Sequence, residues 1–238
     1  MTVCFLPAMD SSNSSGTNSQ SPSIGEQICA AFIIPISAAL NFLMFSFAKC
    51  FEQQPPGCEE PDLAHIARKT CFTVNEVEAL YELFKKLSSS IIDNGLIHKE
   101  QLQLALFHNS NIENVFLDRV FDLFDENKNG AINFEEFVNG LSVFHRYAPM
   151  EEKIDFAFRF HDLRQPGFIE WEEVKQMVPD VLMESGIELP DDLLDAIVDK
   201  TFADADADGD RRINKEQWKA FVVRNPTLLK NMTLPCLM

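Results

Sequence analysis

Oxygen-bearing side chains recur at alternate positions of a short polar segment, DENKNGAINFEE, at residues 125–136. Calcium takes six to eight oxygens at about 2.3–2.6 Å, and Gly130 permits the left-handed turn that a loop around such an ion needs. The segment therefore predicts a calcium-binding loop, with moderate affinity because only two of its side chains in ligand positions are charged. The expected ligands are Asp125, Asn127, Asn129, Ala131 through its backbone carbonyl, Asn133 and Glu136.

A second segment, at residues 206–217, has the same spacing with two changes. Arg211 stands where the turn needs glycine, and a left-handed residue with a side chain costs about 1–2 kcal/mol. Gln217 replaces the closing glutamate and removes one charge. We expect weaker calcium binding here, or a six-oxygen shell like that of Mg²⁺. The expected ligands are Asp206, Asp208, Asp210, Arg212 through its carbonyl, Asn214 and Gln217.

Two further segments are poorer in ligands. In the segment at 162–173, Arg164 and Pro166 offer no oxygen at two ligand positions, so we expect weak binding. The segment at 88–101 is two residues longer and ends in Gln101, and it predicts an empty loop that holds two helices together. The third-segment ligands that remain are Asp162, Glu170 and Glu173.

The four segments belong to a repeat, because apolar residues recur at fixed places around each loop. A phenylalanine precedes each loop, an isoleucine lies inside it and another apolar residue follows it. This plan is typical of EF-hand helix–loop–helix units, in which the isoleucines pair neighbouring loops. The sequence thus predicts an all-α fold of four EF-hand units in two paired lobes, with short loop–loop β bridges. The isoleucines are Ile97, Ile132, Ile169 and Ile213.

Composition narrows the function. A formal net charge of −17 opposes binding to nucleic acid and favours cations or basic partners. The six cysteines form no C-x-x-C pair, and the five histidines show no metal-hydrolase pattern. No nucleophile elbow or phosphate-binding loop is present. These observations predict a regulatory protein and not an enzyme.

The first third of the chain differs from the rest. An apolar run at residues 28–48 could cross or enter a bilayer, whereas a basic leader typical of a signal peptide is missing. Basic residues follow this run, which places the acidic body in the cytosol. Cys50 is expected to be an unmodified thiol, with lipidation left open. The predicted division is a disordered polar tail at 1–27, a membrane-anchoring segment at 28–51, a linker at 52–61, one EF-hand pair at 62–145 and a second pair with a short tail at 146–238.

Between about residues 63 and 234 the chain resembles the calcineurin B-like calcium sensors of plants. The fourteen-residue first loop is a specific point of similarity. Four stretches carry the resemblance: EALYELFKKLS at 78–88, GLIHKE at 95–100, DLRQPGFIE at 162–170 and NMTLP at 231–235.

The resemblance implies a calcium sensor that binds the regulatory helix of a serine/threonine kinase in an apolar groove and activates that kinase at a membrane. Met1–Thr2 does not match the myristoylation start of most members. The apolar run is instead similar to the branch with a hydrophobic N-terminal segment, which implies vacuolar or plasma membranes and a role in ion homeostasis and salt stress. The chain also ends at Met238, before the phosphorylatable tail of that family.

Two other functions stay open at this point. The first is a regulatory subunit of a calcineurin-like phosphatase, which shares the four-repeat plan. The second is a calcium buffer without a target, which would need tight, charge-rich loops. The sequence also leaves a homodimer possible.

Overall fold

A computed structural model describes four stretches of the chain: residues 62–107, 115–176, 190–230 and 232–233. The predicted tail, membrane segment and linker at 1–61 lie outside these stretches. Within them, no helix combines the length and hydropathy that crossing a bilayer requires.

The described residues of the first two units form five helices. The bounds are α1 Leu63–Lys69, α2 Val74–Ser88, α3 Lys99–Phe107, α4 Val115–Phe124 and α5 Phe134–Ser142.

A capping box starts α2. The backbone N–H of Thr73 donates to Oε2 of Glu76 at 2.6 Å, and the Glu76 N–H donates to Oγ1 of Thr73 at 3.3 Å. Val77 and Phe84, two helical turns apart, are buried on one face of α2. Val74 has the same helical spacing but is 41% exposed, and it is the first residue of the helix.

The second two units follow the same order, with a short strand in each loop. The bounds are α6 Met150–His161, β1 Phe168–Glu170, α7 at 171–176, α8 Asp191–Ala205, β2 Arg212–Asn214, α9 Lys215–Arg224 and α10 Thr227–Lys230.

The four isoleucines join the loops in two pairs, which confirms the predicted bridges. Ile97 and Ile132 exchange two backbone hydrogen bonds of 2.9 and 2.8 Å. Ile169 lies opposite Ile213 in an antiparallel pairing of β1 with β2. Each bridge fixes two loops side by side, so the ligands of one loop cannot move without affecting its neighbour.

One hydrophobic cluster runs through both pairs. The apolar residue after each loop is also buried: Leu102, Phe137, Val174 and Trp218. The phenylalanine before each loop is buried in this cluster: Phe84, Phe121, Phe158 and Phe202.

The end of the described chain is tied to this body through a buried lysine. Lys153 on α6 donates from Nζ to the carbonyl of Met232 at 2.8 Å and to Oγ1 of Thr233 at 2.9 Å. Burial lowers the pKa of Lys153. Because Met232 is fully buried, this residue after α10 is part of the core.

A glycine sets the distance between α4 and α5. A Cβ placed on Gly140 would lie 2.6 Å from Cδ1 of Phe124, the last residue before the second loop. The two helices therefore approach each other through bare backbone against an aromatic ring.

We expect Gly140→Ala to lower the free energy of unfolding by up to about 2 kcal/mol. Overpacking costs about 1–3 kcal/mol, which exceeds the gain of about 1 kcal/mol in helix propensity. Urea unfolding of the variant in EDTA measures this. Asn139→Ala, one residue earlier on the same helix, is the control. Equal stability of the two variants would contradict the packing argument.

Candidate calcium-binding loops

Asp125 opens the second loop and organises its first half. Its side chain is only 5% exposed. Oδ1 accepts a hydrogen bond from the N–H of Asn129 at 3.1 Å, and Oδ2 accepts one from the N–H of Gly130 at 2.8 Å. Gly130 has a φ of +81°, so the left-handed turn predicted from its position is present. The carboxylate is thus held inside the loop by backbone donors.

Glu136 closes the same loop from the first turn of α5. Its Oε1 accepts from the N–H and the amide Nδ2 of Asn127 at 3.0 and 2.8 Å. Its Oε2 accepts from the N–H of Asn133 at 2.9 Å, and Oδ1 of Asn133 caps the helix in return. Since Glu136 is 3% exposed, this carboxylate links both ends of the loop to α5 out of contact with water.

The side chains of this loop fit a calcium ion. The six predicted positions form two hydrogen-bonded groups. Asp125, Asn129 and Ala131 make one, with Ala131 donating its N–H to Oδ1 of Asn129 at 3.0 Å, and Asn127, Asn133 and Glu136 make the other. The donors are carboxylate, amide and carbonyl oxygens, which suit a hard cation. Asn127 turns its amide nitrogen toward Glu136, so the amide must rotate to present oxygen to an ion.

The fourth loop gathers three carboxylates without a glutamate to close it. One oxygen each from Asp206, Asp208 and Asp210 lies within 4.8 Å of the others. Gln217 occupies the closing position, and its Nε2 donates to Oδ1 of Asp208 at 3.0 Å. Its Oε1 accepts from the N–H of Asn214 at 2.8 Å. The amide therefore keeps the closure found in the second loop but reverses the direction of one hydrogen bond.

Backbone donors hold Asp206 in its charged form. Although desolvation by burial acts to raise the pKa of Asp206, hydrogen bonds from the N–H of Arg211 and Gly209 outweigh it and lower that pKa. These bonds are 2.8 Å to Oδ2 and 2.9 Å to Oδ1. The site is accordingly charged and preorganised for a cation.

Arg211 has a φ of +64°, the left-handed conformation that its place in the alignment predicts. Its guanidinium carbon lies 5.3 Å from the centre of the Trp171 ring. Nη2 of Arg211 also lies 3.8 Å from Oδ1 of Asp199, which accepts a hydrogen bond from Nε1 of Trp171 at 2.8 Å. A cation–π contact and an ion pair thus offset part of the backbone strain, and they tie the fourth loop to the third.

The third loop contains two buried carboxylates that are incompletely paired. Oδ2 of Asp162 accepts from the N–H of Gly167 at 3.1 Å, and Oε1 of Glu173 accepts from the N–H of Arg164 at 3.0 Å. Within the described residues, Oδ1 of Asp162 and Oε2 of Glu173 receive no hydrogen bond of good geometry. The two residues are 6% and 1% exposed, so a bound cation would supply what these oxygens lack.

Burial raises the pKa of both Asp162 and Glu173, because each charged form loses water. The backbone N–H of Gln165 acts to lower the pKa of Asp162, and the backbone N–H of Glu170 acts to lower the pKa of Glu173. Each opposes the effect of burial only in part. Glu170, the remaining predicted ligand, lies with Oε1 3.3 Å from Nε of Arg212 in the fourth loop. Its carboxylate therefore pairs with a neighbouring loop in this structure.

Gln101 gives the first loop a closure of its own. Its side chain is 1% exposed, and Nε2 donates to the carbonyls of Ser88 and Ile92 at 2.6 and 3.0 Å. Oε1 accepts from the N–H of His98 at 2.8 Å. The amide group takes the carbonyl oxygens that a cation would need. The sequence predicts an empty first loop that holds two helices together, but it does not identify Gln101 as the residue that bridges the loop.

Sequence reasoning also missed a polar cluster between the two pairs, centred on Asp122. Asp122 occupies no ligand position in any of the four loops. Its role comes from contacts between units that are distant in the sequence. The left-handed residues Lys128 and Gln165, with φ of +53° and +61°, stand at the same position of the second and third loops. That shared position is the signal that could have identified them.

Glu136→Gln is expected to cost about 1–3 kcal/mol of unfolding free energy in EDTA, because an amide cannot accept all three hydrogen bonds. Glu173→Gln should cost less than half as much, since one of its oxygens lacks a good partner and the buried charge is relieved. Denaturant unfolding compares them, with Glu135→Gln on the surface of α5 as the control. Equal losses of unfolding free energy for the two buried glutamates would contradict the conclusion that Glu136 is fully hydrogen-bonded and Glu173 is not.

Gln101→Glu is expected to lower stability in EDTA by about 1–3 kcal/mol, because a carboxylate would face two carbonyl oxygens and donate to neither. Millimolar calcium should recover most of that loss by bridging the same oxygens. Thermal unfolding with and without calcium checks both parts, and Glu100→Gln on the same helix is the control. A variant equally unstable in calcium would rule out a convertible first loop.

The chain matches a family model described as an EF hand domain over residues 116–144, which covers the second unit. It is 43% identical over 185 residues to calcineurin B-like protein 5 of Arabidopsis thaliana, covering 78% of this chain and 91% of that protein. It is also 35% identical to the calcineurin B protein of Naegleria gruberi, over 73% of this chain and 93% of that protein. The calcineurin B protein of Yarrowia lipolytica is 34% identical, at 74% and 96% coverage. The predicted resemblance is confirmed: this chain belongs to the calcineurin B-like family of calcium-binding EF-hand proteins.

Proposed function

We propose that this calcium sensor recruits and activates a serine/threonine kinase at a membrane, in ion homeostasis and salt-stress signalling. The kinase class is the one that interacts with calcineurin B-like proteins. The protein would act as a regulatory subunit without catalysis of its own. Calcium would enter the second loop first, through Asp125, Asn127, Asn129, Ala131, Asn133 and Glu136.

The position of Glu136 carries this proposal. Its carboxylate reaches Asn127 in the first half of the loop and also caps α5 through Asn133. A cation that takes oxygens from Glu136 must displace the donors on it, so ion binding acts directly on the first turn of α5. A sensor needs this link between ion and helix.

A kinase partner is favoured over a phosphatase partner because identity to the calcineurin B-like relative is higher, 43% against 35%. The fourteen-residue first loop points the same way. A pure buffer is disfavoured because the second loop has two charged ligands and the fourth loop lacks the closing glutamate.

Membrane attachment is proposed for residues 28–48, on their apolar sequence alone. The acidic body would face the cytosol at a vacuolar or plasma membrane. Flotation with neutral phosphatidylcholine vesicles tests attachment. The full chain should float and a variant lacking residues 1–61 should remain in solution, in calcium and in EDTA alike. Equal behaviour of the two would refute the anchor.

We expect the full chain in mild detergent to bind a regulatory-helix peptide of such a kinase more tightly in calcium than in EDTA. Glu136→Gln should remove most of that calcium dependence, because it disrupts the link to α5. Fluorescence anisotropy of labelled kinase and calcineurin helix peptides measures the calcium dependence of binding and the preference between the two peptides.

Glu135→Gln is the matched control for this assay. Glu135 neighbours Glu136 on α5, but its Oε1 pairs with Nζ of Lys69 at 2.7 Å on the surface. This variant should keep its calcium response. Tighter binding to the calcineurin peptide would favour the phosphatase function, and binding to neither peptide would favour the buffer.

A further inference from the structure

One carboxylate on α4 receives side chains from two different EF-hand pairs. Oδ1 of Asp122 accepts from Nζ of Lys128 at 2.6 Å, and Lys128 belongs to the second loop. Oδ2 of Asp122 accepts from Nε2 of Gln165 at 3.1 Å, and Gln165 belongs to the third loop. Both donors occupy the fourth position of their loops. The second and third loops, which share no β bridge, therefore meet at Asp122.

Arg119, one turn earlier on α4, extends this contact into the second pair. Its Nη1 donates to Oδ2 of Asp122 at 2.6 Å, and its Nε donates to the carbonyl of Arg159 at 2.9 Å. Nη2 of Arg119 donates to the same carbonyl. Arg159 lies in the last turn of α6, just before Asp162 opens the third loop.

The charge of Arg119 is buried beside an acidic loop. The residue is 6% exposed, and desolvation lowers its pKa while Asp122, Asp162 and Glu173 act to raise it. In turn, the charge of Arg119 acts to lower the pKa of Asp162. The positive charge of Arg119, which belongs to the first pair, thus partly balances the negative charge of the carboxylates that would bind calcium in the second pair.

We propose that Arg119 and Asp122 form a latch through which cation occupancy of the second loop sets the cation affinity of the third. When the second loop closes on an ion, the backbone at Lys128 shifts and changes the hold of Lys128 on Asp122. The same carboxylate positions Gln165 and Arg119, so the third loop experiences the change. This inference rests on calcium binding by the second loop, and coupling of this kind is reciprocal.

Two glycine amides report the two loops separately. The N–H of Gly130 donates to Asp125 and the N–H of Gly167 donates to Asp162, each at the sixth position of its loop. Arg211 occupies that position in the fourth loop, whose glycine is Gly209 at the fourth position, so its signal must be assigned separately. Nuclear magnetic resonance of the full chain in detergent, with ¹⁵N-glycine labelling of its nine glycines, follows both amides during a calcium titration.

The experiment is a mutant cycle on Glu136→Gln, Asp122→Asn and the double variant. In the parent protein, disabling the second loop with Glu136→Gln should move the Gly167 midpoint at least about fivefold, the low end of measured couplings. In the Asp122→Asn background the same change should move it less than about twofold. If the third loop does not fill, the shift of Gly167 as Gly130 titrates replaces the midpoint as the readout.

Asp118→Asn is the matched control, because Asp118 lies on α4 and pairs only with Lys99 among the described contacts of its side chain. It removes the same charge and should leave the coupling intact. Undiminished coupling in Asp122→Asn, or a Gly167 signal indifferent to the second loop in the parent, would overturn the latch. Failure of Gly130 to respond to calcium would instead refute calcium binding by the second loop.

Discussion

Each loop in this protein depends on one side chain that crosses it from the first turn of the exiting helix. In the second and third loops this side chain is a glutamate, Glu136 or Glu173, that accepts from backbone N–H at the third position. In the first and fourth loops it is a glutamine, Gln101 or Gln217, that donates to oxygen. The crossing fixes where the exiting helix begins, and the rest of each unit packs around it. Because a cation competes for this same contact, binding and helix position are linked by construction.

The difference between the two closing groups has an electrostatic origin. A glutamine amide brings its own N–H donors, so a loop closed by Gln101 is satisfied without an ion. A glutamate brings only acceptors, so Glu173 is left with an oxygen that lacks a good partner. A loop that a glutamine closes is thus held closed without an added charge. A loop that a glutamate closes has a negative charge that still lacks a positive partner.

Much of the architecture follows from the sequence because it depends on periodic, local features. The spacing of Ile97 and Ile132 predicts their bridge, and the order of Thr73 and Glu76 predicts the capping box. These features need only neighbours along the chain or an identical place in the repeat. The left-handed conformation of Arg211 is predictable for the same reason.

Other features could not be predicted, because they depend on contacts between units. Val74 fits the apolar period of α2 but lies where no partner covers it. Asp122 has no ligand role in any loop, and only the packing of α4 against α6 gives it donors from two loops. The fold brings together the three aspartates of the fourth loop, whereas Glu170 of the third loop pairs with Arg212 of its neighbour, a contact that repeat spacing does not predict.

The absence of a side chain at Gly140 also has a mechanical consequence. The ring of Phe124, immediately before the second loop, lies against the backbone of α5 at Gly140, near the end of that helix. A change of angle between α4 and α5 is therefore expected to turn about this contact. On one side of this contact α5 leads back to the second loop, and on the other side it leads to the connection with the second pair. A small local contraction is thereby converted into a rotation, and separation of the two helices is not required.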